Sequence, residues 1–322
     1  MTPIGLLVVL CLSVSAFVCS PPNDWRILSE SEVSDAAAVD SLFFLDHNHG
    51  LAVAGALLET KDGGKSWTQK HAPQGELYYS MSFVNEETGW LVGTTINADT
   101  GLNPLILKTT DGGRRWQKQV LTDLPQESNG QPVYLTRINF CDPDVGWASG
   151  PNVIIRTVDG GETWQVKYLN NGAVRVADVV CINANSSYAV GDNGVILTTN
   201  NGGDDWINQE SGTKANLLRV RSFDTTLWLL ANDATVLHMP TGGRGIQLQK
   251  LDFYGTVRDI YFKNSDGWIV GTKGTIFHTD NGGKTWRMQT SPTANNLTSV
   301  FILDQKHGWA GGDDQTILGF SK

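Results

Sequence analysis

One phrase is written five times along the chain: TKDGGKSW at 60–67, TTDGGRRW at 109–116, TVDGGETW at 157–164, TNNGGDDW at 199–206 and TDNGGKTW at 279–286. A worn sixth copy, MPTGGRGI, keeps Gly242 and Gly243 and puts Ile246 where the tryptophan would stand. Trp25 opens a similar strand without the turn. From Trp25 onward the anchors are spaced by 42, 49, 48, 42, 40 and 40 residues. A period of about 40–50 residues filled with β pattern is the spacing of propeller blades.

Each period has the same internal order. In the stretch 255–289, VRDIYF, GWIVG and GTIFHT read as three strands, the DNGG turn follows, and TWRMQT is a fourth. Four antiparallel strands make one blade. Seven anchors (Trp25, Trp67, Trp116, Trp164, Trp206, Ile246 and Trp286) give seven blades. The last repeat supplies only LTSVFI, GWAGG and QTILGF before the chain ends, so DWRILS near the N-terminus is its missing fourth strand. The sequence predicts an all-β chain: one seven-bladed β-propeller over 20–322, closed by its N-terminal strand. Closure leaves only short, protected sheet edges.

The phrase is an Asp-box. Asp62, Asp111 and Asp159 accept hydrogen bonds from amides of their own turn, and Asn201 and Asn281 can do the same. The glycines supply the positive φ of a tight connection. Trp67, Trp116, Trp164, Trp206 and Trp286 then start the outer strands and fill grooves between blades. Five copies around a ring cannot all face one site, so the boxes read as structure and not as chemistry.

The first residues differ from the rest. IGLLVVLCLSVSAFV has 15 residues without a charge, which suits a signal-peptide core and is short for a membrane span. Residues 1–19 are expected to be a signal segment, with cleavage near Ala16 or lipidation at Cys19. Export places the propeller in a periplasm, a thylakoid lumen or outside the cell. A net charge of −9 and a pI near 5.1 argue against nucleic acid as a partner. Cys141 and Cys181 stand at matching places in neighbouring repeats; a disulfide is open to them after export, but two buried thiols is the favoured reading, because matching positions need not bring Cα atoms within bridging distance. His47 and His49 read as a solvated pair. No Cys/His spacing resembles a metal site, and no cofactor is implied. Asn185 and Asn296 lie in glycan-acceptor triplets, usable only in a secreting eukaryote.

Propellers bind ligands where inner strands begin and their loops converge. The inner strands LTRINF, AVRVADVV, LLRVRSF and VRDIYF place Arg137, Arg175, Arg219 and Arg258 at nearly the same point of blades three to six, and Arg221 lies two residues beyond Arg219. The chain has 11 arginines, so four at one repeat position is a concentration of charge. They are expected to form a cationic arc near the axis, with Tyr78 and Tyr79 beside it in blade two. Guanidinium forks suit carboxylates.

ETGWLVG, GAVRVADVV, LLRVRSFDTTLWLLA and FILDQKHGWAGGDDQTIL, with the Asp-boxes, resemble the photosystem II assembly and stability factor family of cyanobacteria and chloroplasts. The likeness covers the whole chain after the signal segment. It implies a non-enzymatic, monomeric seven-bladed propeller that recognises a membrane-associated protein, a newly made photosystem II reaction-centre subunit, through its arginines. Arg175 and Arg219 match the family's arginine-bearing strands best, and Arg137, Arg221 and Arg258 follow. Members of the propeller family also occur outside photosynthesis.

Two other readings share the boxes. A generic secreted Asp-box propeller would bind another protein or a glycan. A sialidase-like glycoside hydrolase would need an activated tyrosine and acid/base carboxylates. Tyr254 or Tyr261 could be offered, but no inner-strand glutamate accompanies them, and the inner-strand carboxylates Asp178 and Asp259 sit beside arginines.

Overall fold

The computed structural model describes residues 25–29, 37–71, 74–97, 101–128, 130–170, 174–243 and 245–321. The expected signal segment, 1–19, lies outside them. Seven four-stranded antiparallel sheets form seven blades, and a two-stranded hairpin, Glu127–Ser128 with Gln131–Pro132, precedes blade three. Blade one comprises Ser41–Phe44, Gly50–Ala54, Ala56–Thr60 and Thr68–His71. The inner strands of blades two to seven are Glu76–Phe83, Arg137–Phe140, Val176–Cys181, Leu217–Phe223, Val257–Lys263 and Leu297–Ile302. Arg26–Ser29 pairs antiparallel with Ile317–Ser321, Arg26 opposite Gly319, and completes blade seven as the sequence predicts.

Second strands such as Gly146–Gly150 and Ser187–Gly191 are buried along their whole length. Both of their faces are covered by neighbouring blades, so they carry unbroken small and apolar runs instead of alternation. The core is correspondingly divided into a series of clusters along the seams between blades.

The Asp-boxes do more than turn the chain. In the first, Thr60 donates to Asp62 at 2.8 Å, and Asp62 accepts from the amides of Lys65 and Ser66 at 3.1 and 2.9 Å. The Ser66 hydroxyl and amide hold the Asp62 carboxyl down at about 2. The box then receives a side chain from the preceding blade. Trp90 of blade two donates its indole N–H to the carbonyl of Gly160 in blade three's box at 3.0 Å, and stacks on Phe140 of blade three at 3.4 Å between centroids. Across the ring closure, Trp309 donates to Gly63 at 2.8 Å and stacks on Phe44 at 3.6 Å. In the worn box, Tyr188 stands in for the indole and donates to Thr241 at 2.7 Å. Where the incoming ring lies closest, at Gly203 and Gly283, the second glycine of the box must therefore stay small. At Gly283, with φ +80°, a Cβ would lie 2.0 Å from the Trp228 ring. The box tryptophans fill the seam from the other side: Trp164 meets Phe140 edge-on at 5.9 Å, and Trp206 meets Trp147 of blade three at 5.6 Å.

Cys141 and Cys181 form a disulfide, with Cα atoms 5.3 Å apart, which corrects the expectation of two thiols. The two positions are not equivalent. Phe140 points back onto Trp90 of blade two, so Cys141, one residue on, points forward toward blade four. Cys181 occupies the place in blade four that Phe140 holds in blade three and points back. A one-residue offset in the repeat makes the two side chains converge.

Two expected outcomes follow. Deleting residues 25–29 uncovers the edge of Ile317–Ser321 and removes Trp25, which is 5% exposed and donates to Gln289 of blade six at 3.0 Å. The truncated protein should lose several kcal/mol, about the cost of a large aromatic truncation, and should associate in sedimentation. A monomer melting at the wild-type temperature would sink the ring assignment. Reducing the disulfide, which closes a loop with a sequence separation of 40, should lower stability by about 2–4 kcal/mol. Thermal melts of Cys141→Ser with and without reductant check this: reductant should shift the wild type only.

Candidate functional site: the cationic mouth and its channel

The expected arc of arginines divides into two levels. Two arginines, Arg219 and Arg221, sit in the central channel, and Arg137 stands where the channel meets the mouth. Arg219 is 5% exposed, and its Nε lies 3.6 Å from Asp259. Arg221 lies between two carboxylates, 3.0 Å from Asp178 and 3.1 Å from Asp259. Burial works against the Arg221 charge, but Asp259 and Asp178 outweigh it and hold the guanidinium above its ordinary range. Arg137 heads its inner strand, and its Nη1 donates to the carbonyl of Thr136 at 2.9 Å. Burial, with Arg219 beside it, pulls Arg137 down to about 9, so it stays charged at neutral pH.

Arg175 and Arg258 stand at the upper level. Both are exposed. Arg175 precedes its strand Val176–Cys181 and no described carboxylate forms an ion pair with either residue. They do not sit at matching strand positions with Arg137 and Arg219. The strand pairings align Arg137 and Arg219 with Asp178 and Asp259, so Arg258 stands one residue and Arg175 three residues before that position, and each ends nearer the mouth.

Asp178 and Asp259 have a role the sequence alone did not disclose. Asp178 accepts from the amide of Val220 in the next blade at 3.1 Å, and Asp259 from Val300 in the next blade at 3.2 Å. Uncharged residues do the same elsewhere: Ser82 accepts from Phe140 at 3.1 Å and Asn139 from Cys181 at 2.8 Å. The channel-facing polar residue of one blade thus ties down the inner strand of the next. Where that residue is an aspartate, Arg221 balances its charge. At the register of Ser82 and Asn139, Phe43, Phe301 and Tyr261 form a chain of ring contacts that Phe223 extends, at 5.3–5.5 Å. Of the two tyrosines weighed for chemistry, Tyr261 belongs to this belt, and burial raises its pKa. Tyr254 is 98% exposed, away from the channel lining.

The channel opens into a mouth cavity of about 430 Å³ lined by Asp40, Tyr79, Tyr134, Thr136, Arg137, Pro151, Arg175 and Asp192 among others. Tyr79 is there as expected. Tyr78 is fully buried and donates to Glu76 at 2.6 Å. Asp40 was not singled out in the sequence. Burial pushes its carboxyl above the usual range, against the pull of Arg137, Arg219 and Arg258. Its signal was faint: one aspartate just before an inner strand without arginine. Among the described residues no group of three or more His, Cys, Asp or Glu side chains is placed to hold a metal ion, and no helix is long and apolar enough to cross a membrane.

A rigid ring with a charged, concave mouth at one end of its axis belongs to the class of propeller binding proteins. The family profile described as photosynthesis system II assembly factor YCF48 matches residues 22–136, 122–217 and 239–321, and the chain belongs to that family. The photosystem II assembly lipoprotein Ycf48 of Synechococcus sp. (strain CC9902) is 24% identical over 339 residues, covering 98% of this chain and 96% of the relative. The chloroplastic photosystem II stability/assembly factor HCF136 of Arabidopsis thaliana is 23% identical over 295 residues, covering 82% and 70%. The solved structure of YCF48 bound to D1 peptide superposes with a TM-score of 0.71 at 21% identity, covering 93% of this chain and 97% of that one.

The two-level arrangement makes Arg221 structural. Arg221→Ala leaves Asp178 and Asp259, both buried, without their shared cation. Stability should fall by about 3 kcal/mol, at the low end for a broken buried pair because the Arg221 side chain is 30% exposed. Urea melts of Arg221→Ala beside Arg258→Ala measure the difference, and the second variant should melt as wild type.

Proposed function

We propose that the protein is a non-catalytic assembly factor that captures a carboxylate-bearing segment of a photosystem II reaction-centre subunit at its cationic mouth. The observation that carries this reading is Arg175, exposed on the mouth wall with no described ion-pair partner. Arg137 lies across the same cavity and Arg258 near its rim. On a chain of net charge −9 these are the cations left over once the channel aspartates are balanced. The relatives named as photosystem II assembly factors, and the one solved with a D1 peptide, supply the class of client. Export fits the lipoprotein and chloroplast relatives, with Cys19 as the residue available for a lipid. The hydrolase reading loses its candidate carboxylates, because Asp178 and Asp259 are held by arginines and by backbone amides.

The test is recovery of membrane proteins from a photosystem II-containing membrane by wild type and by Arg175→Glu with Arg258→Glu. Both residues are exposed, so the melting temperature should hold. Capture of reaction-centre protein should drop at least tenfold and should weaken with salt, since exposed charges are screened beyond about 8 Å at physiological ionic strength. Equal recovery by both proteins refutes the reading. Capture only of proteins unrelated to photosystem II favours the generic propeller. Asp40→Asn should act in the opposite direction, tightening anion binding by roughly 0.5–1 kcal/mol. Protonating Asp40 does the same in the wild type, so wild-type affinity should rise as pH falls through its raised pKa. That rise should be missing from Asp40→Asn.

A further inference from the structure

The mouth does not end at Arg175. A second cavity, of about 370 Å³, adjoins it on the outer side and shares Tyr134, Pro151 and Arg175 with it. It runs toward the hairpin Glu127–Ser128/Gln131–Pro132, where Ser128, Gln131, Pro132, Asn152 and Asn170 complete the lining. The two cavities therefore form one groove, leaving the axis and crossing the top of blade three with the Arg175 guanidinium at its midpoint.

The chemistry of the outer half differs from that of the mouth. Pro132, Tyr134 and Pro151 give it rigid, largely apolar walls. Asn152 is 8% exposed. Its Nδ2 donates to the carbonyls of Gln131 and Pro132 at 3.4 and 3.3 Å, which fixes the amide so that Oδ1 is the atom left over. That Oδ1 accepts no hydrogen bond. That atom is also closed to the groove, so Asn152 stiffens the wall through its Nδ2 bonds and offers no contact to a ligand. A polypeptide supplies the two things this groove lacks: a carboxylate for Arg175 and an apolar side chain for the proline–tyrosine walls.

We infer that the outer half of this groove is a specificity subsite, which takes an apolar side chain adjoining the carboxylate of an extended protein segment. This rests on the proposed capture of a carboxylate at the mouth. It adds that the protein reads sequence beside the charge, and that Tyr134 and Pro132 do the reading.

The test uses the full propeller, immobilised, and a library of six-residue peptides randomised before the last position. One arm carries free terminal carboxylates and one carries terminal amides. Wild type should enrich Leu, Ile, Val, Met or Phe at one position by about tenfold, beside an acidic side chain or a free terminus; the two arms tell which. Tyr134→Ala should keep the acidic preference and lose the apolar one. Pro132→Ser, at an exposed position, gives the same readout if Tyr134→Ala folds poorly. Acidic preference without apolar enrichment, or apolar enrichment that survives both variants, overturns the subsite and leaves the mouth reading standing. Capture of no carboxylate peptide, or equal capture by Arg175→Glu, overturns the mouth reading and the subsite with it.

Discussion

The ring depends on one recurring contact: the second-strand indole of a blade pressed between a phenyl ring and an Asp-box of the next. Trp90 on Phe140 and Gly160, and Trp309 on Phe44 and Gly63, are its clearest cases. Each combines the burial of a large ring with a satisfied N–H and a fixed approach angle. Burial alone would let blades slide, because hydrophobic attraction has no direction. At these two seams the hydrogen bond to a box carbonyl sets the register between sheets that share no backbone ladder, whereas Trp147 and Trp268 fill their seams by ring burial without a partner on Nε1. This is why a turn motif recurs with a tryptophan at its end. The turn is folded tightly by its own Thr and Asp so that its carbonyls and glycines present a socket to the neighbour.

A second set of ties runs nearer the axis. Ser82, Asn139, Asp178 and Asp259 each accept an amide proton from the next inner strand. Serine and asparagine do this without charge. Aspartate does it more strongly, since a charged acceptor roughly doubles the interaction, but a buried carboxylate then requires a cation. Arg221 meets that requirement for both aspartates at once. The most arginine-dense strand, LLRVRSF, is thus explained in good part by the two strands flanking it. Balancing two aspartates with Arg219 and Arg221 leaves Arg137, Arg175 and Arg258 as the surplus from which the mouth draws its charge.

The fold was legible in the sequence because propeller repeats are nearly one-dimensional. The 40–50-residue period, the four-strand order and the three-strand last repeat specify the blades and the closing strand without any distant contact. Depth along the axis was not legible. Arg137, Arg175, Arg219 and Arg258 look nearly equivalent by spacing, yet the strand pairings put Arg258 one residue and Arg175 three residues ahead of the position that Arg137 and Arg219 share. Arg175 ends on the rim and Arg219 in the channel. The disulfide was missed for the same reason at the other end of the strand. Treating Cys141 and Cys181 as equivalent hid the one-residue offset that turns them toward each other. Asn152 carried no signal at all, since a single asparagine in a short connection reads as a turn residue.

The division between structural and free charge also bears on how such a surface can work. A cation tied into the channel is held by buried aspartates, and changing it disturbs the ring. A cation on the rim rests on that rigid base and can change at little cost to stability. Arg175 has the second character while lying next to residues of the first, in a cavity whose floor is the end of the channel network. Its position is fixed by strands that the disulfide and the amide ties hold in place, so little conformational freedom remains to be lost when an anion arrives. Asp40 works against this attraction from across the mouth, raised toward neutrality by its own burial. A mouth with surplus arginines and one reluctant carboxylate has the electrostatics of a reversible anion contact, which is what the proposed capture needs.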